Sequence, residues 1–194
     1  MQPDWSPDGK YILFKINKVD QSQSSEYEPF YGFSTYPEVN INVIQNALDC
    51  KWSLGSDKFI CMVKHGGSQC YIFKILSTSG DEITTIPDIG NACYMMNQMQ
   101  WSPDETKIVF IGYFPASSLG DVYVMNSDGS ELKNLTNDSI MEGSPFWSPD
   151  GNYIYFNATE DGKTNIYRMD MNGNNMIRVT NTGNDFGTAW QPQP

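Results

Sequence analysis

The chain has 194 residues, 39% hydrophobic, 13% aromatic and 18% charged, a balance that supports a packed core and argues against intrinsic disorder. Its formal charge is −11 and its pI is near 4.3, with twelve Lys and Arg scattered along the chain, so it lacks the basic stripe of a nucleic-acid or anionic-membrane binder. No run of about 18 apolar residues is present, and the opening MQPDWSPDGK has neither a basic nor an apolar leader segment, so no membrane insertion and no signal peptide are expected.

The predicted elements are short strands divided by turn residues. MQPDW ends in Trp5, SPDG turns, and KYILFKI (10–16) reads as a strand. YEPFYGF (27–33) and VNINVI (39–44) read as the next two, although Pro29 inside the first of them opposes strand formation. WSLGSDKFICMV follows with a divergent turn, then YIFKILSTSGDEITTI as an outer hairpin. The third stretch is the clearest: SPDE (102–105) as a turn, KIVFIGY (107–113) and DVYVMN (121–126) as β-branched and aromatic strands, SDGSE as a turn, and LKNLT (132–136) as a short polar edge strand. NYIYFNA, TNIYRMD and MIRVT repeat that order. No stretch sustains apolar residues at helical spacing.

Each copy is headed by tryptophan. Trp5, Trp52, Trp101, Trp147 and Trp190 stand 47, 49, 46 and 43 residues apart, the period of a propeller blade of four strands. The expected fold is therefore all-β: a β-propeller of four repeats, each a four-stranded antiparallel blade, forming either a small closed ring or part of a larger propeller. The chain is expected to be a single domain over 1–194, with repeats near 1–48, 49–97, 98–143 and 144–186 and a final strand at 187–194. Since a blade cannot bury both its faces alone, the tryptophans are expected to pack between blades.

The strings WSPDETKIVF…DVYVMNSDGSELKNLT and WSPDGNYIYF…NIYRMDMNGNNMIRVT resemble the repeats of TolB-type, WD-like β-propellers. The resemblance is strong over the second half, and looser over PDWSPDGKYILF and the second repeat. It implies a ring of blades, often exported to the periplasm or cell surface, that binds partner proteins through a propeller face. Related propellers sit before the catalytic domain of prolyl-oligopeptidase-like peptidases or act as oligogalacturonate lyases. The chain holds five Trp-ending segments for four repeats, so MQPDW and FGTAW compete for one place. The start inside a repeat favours descent from a longer ancestor, and a surplus strand could pair with a second chain.

Catalytic groups are hard to assemble. GFSTY (32–36) lacks the last glycine of a nucleophile elbow, and His65, the sole histidine, falls in a predicted hairpin tip. One His is too few for a metal hydrolase, and no CxxC suggests zinc. NSDGSE, DMNGNN and TEDGK look like calcium loops only in composition; left-handed turn chemistry accounts for them. Sequons at Asn134, Asn137 and Asn157 fit the Asn/Thr-rich edges. Cys61 and Cys70 flank a predicted hairpin and could face each other across it as a disulfide, with buried thiols as the other reading.

No catalytic residue, cofactor or metal ligand is therefore assigned. The expected role is a non-enzymatic, protein-binding or scaffold module in the bacterial envelope, periplasmic or extracellular; the alternative is a propeller associated with a peptidase or carbohydrate-active enzyme, holding peptide or glycan. Two stretches break the repeat and supply candidate partner-binding aromatics, Tyr27, Phe30, Tyr31, Phe33 and Tyr36 in 25–38 and Phe114 in 112–120; the other reading is that these aromatics cover the sheet faces of a degenerate first blade.

Overall fold

Alternating β-branched and aromatic residues between Gly, Asp and Asn turns build sheets throughout. The computed structural model describes residues 3–17, 29–35, 42–65, 70–86, 95–113 and 119–186. Sixteen strands form four antiparallel four-stranded sheets, and among the described residues there is no helix. Blade 1 is β1 (Asp4–Trp5), β2 (Tyr11–Asn17), β3 (Pro29–Thr35) and β4 (Asn42–Gln45). Blade 2 is β5 (Ala47–Trp52), β6 (Lys58–His65), β7 (Cys70–Ser77) and β8 (Glu82–Ile86). Blade 3 is β9 (Met95–Trp101), β10 (Lys107–Tyr113), β11 (Asp121–Asn126) and β12 (Lys133–Asn134). Blade 4 is β13 (Met141–Trp147), β14 (Tyr153–Glu160), β15 (Lys163–Asp170) and β16 (Ile177–Arg178). Pro29 is tolerated because it is the first residue of β3, where a missing N–H costs least.

The chain divides into two compact units, residues 1–93 and 94–194, each of two blades over a shared apolar core. In the first unit Leu13 and Phe33 of blade 1 meet Cys50, Trp52, Phe59 and Val63 of blade 2. The Trp52 ring lies 5.0 Å from Phe59 and 5.6 Å from Tyr11, and its indole N–H donates to the Asp4 carbonyl at 3.2 Å. In the second unit Val109, Ile111, Val122 and Val124 of blade 3 pack on Trp147, Ile154, Phe156 and Met169 of blade 4. Trp52 and Trp147 are buried in the two-blade cores and Trp101 is buried as well, whereas Trp5 is 49% exposed and does not follow the expected packing.

The repeated SPD turn is a hydrogen-bonded device. Ser6, Ser102 and Ser148 are buried, and each hydroxyl accepts from the backbone N–H of the next strand's start at 2.9–3.0 Å while donating to Asp8, Asp104 or Asp150 at 2.5–2.7 Å. The fourth position needs left-handed φ: Gly9 and Gly151 at 71°, but Glu105 at 58° and Ser56 at 63° in the other blades. Blade 2 keeps the buried Ser53 and moves the acid to Asp57, at 3.0 Å.

Cys61 is bonded to Cys50, not to Cys70. The register explains it: Cys50 stands directly opposite Cys61 across β5 and β6, whereas Cys61 faces Lys74 across the hairpin and Cys70 faces His65. Four ladder positions at about 3.3 Å each separate Cys61 from Cys70's level, beyond disulfide reach.

Candidate functional site

The serine of GFSTY, Ser34, is buried in β3 and donates its hydroxyl to the Thr35 carbonyl at 3.2 Å, so it presents no exposed nucleophile. His65 closes β6 opposite Cys70. The acidic turns point their oxygens at their own backbone: Asp170 accepts from the N–H groups of Asn172 and Asn174 at 2.9 Å, and Asp128 from Ser130 N–H at 2.9 Å. These bonds hold both carboxyls below the usual carboxylate range, Asp170 chiefly through Asn174 and Asp128 chiefly through the Ser130 hydroxyl. Among the described residues no three His, Cys, Asp or Glu side chains are grouped to hold a metal ion.

Of the candidate aromatics, Phe33 is a core residue. It is 2% exposed, its ring lies 5.2 Å from Phe59, and Gly80 (φ 88°) sits so close above it that a Cβ there would come within 2.9 Å of the Phe33 ring. Phe30 and Tyr31 lie in β3, paired with Gln45 and Ile44. Tyr27, Tyr36 and Phe114 lie outside the described residues. The aromatic stretch thus holds at least one core anchor. The strand alternation would have placed Phe33 inward once Leu13 was recognised as its cross-strand neighbour.

Beside Phe33 a cleft of about 400 Å³ opens between the outer strands of blades 1 and 2. Val43 (52% exposed) and Ile44 form one wall, Leu76 and Val63 the base, and Lys74 with Glu82 the far rim. Lys74 Nζ donates to Glu82 at 2.6 Å, which with the Thr85 hydroxyl at 2.5 Å keeps the Glu82 carboxyl below its ordinary range. The ion pair is exposed and contributes little stability. The cleft offers an apolar step, both signs of charge, and the outer strand β4 of its sheet, the features that receive an extended peptide.

Comparisons with known proteins agree with this architecture. Residues 50–193 match the family described as TolB beta propeller domain. An uncharacterized protein of Agrobacterium fabrum is 28% identical over 197 residues, covering 99% of this chain and 61% of that protein. The Tol-Pal system protein TolB 1 of Novosphingobium aromaticivorans is 36% identical over 73 residues, 37% of this chain and 16% of its own. The crystal structure of TolB from Acinetobacter baumannii superposes with a TM-score of 0.67 at 19% identity, over 93% of this chain and 43% of that one. The chain thus spans about three fifths or less of the length of these relatives. With the family matched over most of its length and four blades of the expected build, the chain belongs to the TolB beta-propeller domain family.

Proposed function

We propose that the protein is a non-enzymatic binding propeller of the bacterial envelope that holds a protein partner, and that the cleft between blades 1 and 2 takes part of that contact. The observation that carries the reading is the cleft itself: the exposed Val43 and the polar Asn42 and Gln45 of an edge strand face a charged rim over a base of core side chains. Family membership and the likeness to a Tol-Pal system protein support a protein partner. The Cys50–Cys61 bond supports an oxidising, periplasmic compartment. Tyr27, Phe30, Tyr31, Tyr36 and Phe114 are kept as proposed contributors to the contact; Phe33 supports it from beneath. A photo-crosslinking residue at position 43, introduced in living cells, tests the proposal. The expected result is one discrete protein adduct in the periplasmic fraction, lost when Lys74→Glu inverts the rim. Crosslinks spread over abundant proteins and unchanged by Lys74→Glu, or a hydrolase or lyase activity of the purified chain, would overturn it.

A further inference from the structure

Blades 3 and 4 share one junction, built twice. In each, the loop after the outer strand turns back to its own third strand. Thr136 Oγ1 accepts from Val122 N–H and Thr180 Oγ1 from Ile166 N–H, both at 3.0 Å. Leu135 N–H donates to the Val122 carbonyl and Val179 N–H to the Ile166 carbonyl, at 2.8 and 2.7 Å. Glu142 N–H then bonds the Gly120 carbonyl, and Asp185 N–H the Thr164 carbonyl. Glu142 and Asp185 therefore occupy one position, each five residues before a marker tryptophan in the sequence.

Their surroundings differ by two charges. Blade 4 places Asn165 at the head of its third strand, and its side-chain oxygen accepts from Gly183 N–H at 3.1 Å. Blade 3 places Asp121 there. Asp121 is buried, 5% exposed, and accepts from Asn134 Nδ2 with Oδ2 at 2.9 Å, while Oδ1 has no hydrogen-bond partner. Blade 4 has Thr182 where the aligned loop of blade 3 has Asp138. Glu142, 4% exposed, accepts from the Thr136 hydroxyl at 3.2 Å, and Asp138 of its own loop acts on its carboxyl. Three acids are thus gathered where the fold needs one, as blade 4 demonstrates.

The groups that act on Glu142 are Asp138 from its own loop and Asp121 from β11, with the hydroxyl of Thr136. β9 carries no ionisable side chain; β10 contributes Lys107 and Tyr113, β11 also Tyr123, and β14 Tyr153, Tyr155 and Glu160, none of them among the main influences on Glu142. No cation among the described residues offsets the cluster. Burial, then the negative charges of Asp138 and Asp121, push the Glu142 carboxyl up to about 9, so it holds its proton at neutral pH.

We propose that residues 135–142 are a proton-operated latch: with Glu142 protonated the loop is held on β11, and loss of that proton releases the loop while both sheets stay folded. Once the loop opens, Glu142 meets water and regains an ordinary carboxylate affinity for protons. The closed state therefore binds one more proton than the open state between about pH 4.5 and 9, and opening becomes more favourable as pH rises through that window. One proton makes the opening constant rise about tenfold per pH unit.

Amide hydrogen exchange of the whole chain tests this, each rate divided by that of Glu142→Gln at the same pH to remove intrinsic base catalysis. The expected result is protection at Val122, Leu135 and Glu142 that falls up to tenfold per unit from pH 5.5 to 8.5 in the wild type relative to the variant. Ile166, Val179 and Asp185 in blade 4 should stay flat. Asp121→Asn copies Asn165, which this fold already accepts, and should lower the Glu142 carboxyl midpoint read by carbon NMR and shrink the pH effect on exchange. Equal protection in wild type and Glu142→Gln across the window would overturn the latch. So would stoichiometric calcium binding that abolishes the pH effect, because the cluster would then be a cation site.

Discussion

Blades 3 and 4 are nearly the same object. Phe110 stands opposite Tyr123 and Phe156 opposite Tyr167, and the ring pairs stack at 5.7 and 5.9 Å. The same serine closes the same turn, and the same threonine receives the third strand's first free N–H. Their charge differs most at one junction, where blade 3 gathers acids and blade 4 uses Asn165 and Thr182. What differs between two otherwise equal copies is not demanded by the fold, and so is open to another explanation.

The common plan can be broken first. Phe110→Ala and Phe156→Ala each empty a site that is 1% exposed, and each should cost about 3–5 kcal/mol in chemical denaturation. Equal losses are expected; a large difference would mean that the blades are not energetically equivalent. Gly120→Thr is next. Blade 4 has Thr164 at this place, where its hydroxyl meets Thr159 at 2.8 Å, but in blade 3 Ile111 and Tyr113 fill the space and a Cβ on Gly120 would lie 2.6 Å from Ile111 Cγ2. The substitution should cost about 1–3 kcal/mol although it copies a neighbouring repeat. Ser102→Ala and Ser148→Ala remove the turn acceptor beneath each blade and should each cost about 1–2 kcal/mol, again alike.

The repeat was legible because each strand is short, alternating and fenced by turns. β10 and β11 run over Lys107–Tyr113 and Asp121–Asn126, the limits read from composition alone. The edge strands shrank, β12 to Lys133–Asn134, because only two residues make ladder bonds before the loop turns inward. The Cys50–Cys61 pairing went unseen because sequence adjacency draws attention to the hairpin partner, while the residue facing Cys61 comes from β5 on its other side. The bulges at Gln98 and Ser144, both left-handed and both three residues before a tryptophan, place φ > 0 on a Gln and a Ser rather than on the Asn97 or Gly143 just before them. Phe33 stood among both binding and packing candidates because aromatics cluster around it, and its pairing opposite Leu13 puts it in the core. The Glu142 cluster was overlooked although the aligned repeats contain the clue: an acid before Trp147, an acid before Trp190, and Asp121 where blade 4 has Asn165.

The last comparison is the sharpest, since the two junctions should respond to pH with opposite sign. Asp185 Oδ1 accepts from the Thr182 hydroxyl at 2.6 Å while its buried Oδ2 has no hydrogen-bond partner, and the neighbouring Thr180 and Thr182 hydroxyls hold its carboxyl below the usual range. A carboxyl depressed in the folded state stabilises above its unfolded pKa, and that contribution disappears as pH falls through the folded value. Asp185→Asn should therefore lower the melting temperature slightly at pH 7 and leave it unchanged near pH 2, where the wild-type carboxyl is also neutral. Glu142 runs the other way. Its folded pKa is raised, so its cost is absent below about pH 4.5 and grows up to about pH 9. Glu142→Gln should match the wild type at pH 4 and melt several degrees higher at pH 8. Melting curves of the two variants against pH would thus diverge from the wild type at opposite ends of the scale. Parallel curves would show that the extra acids of blade 3 carry no linked proton, and that the two junctions differ in sequence alone.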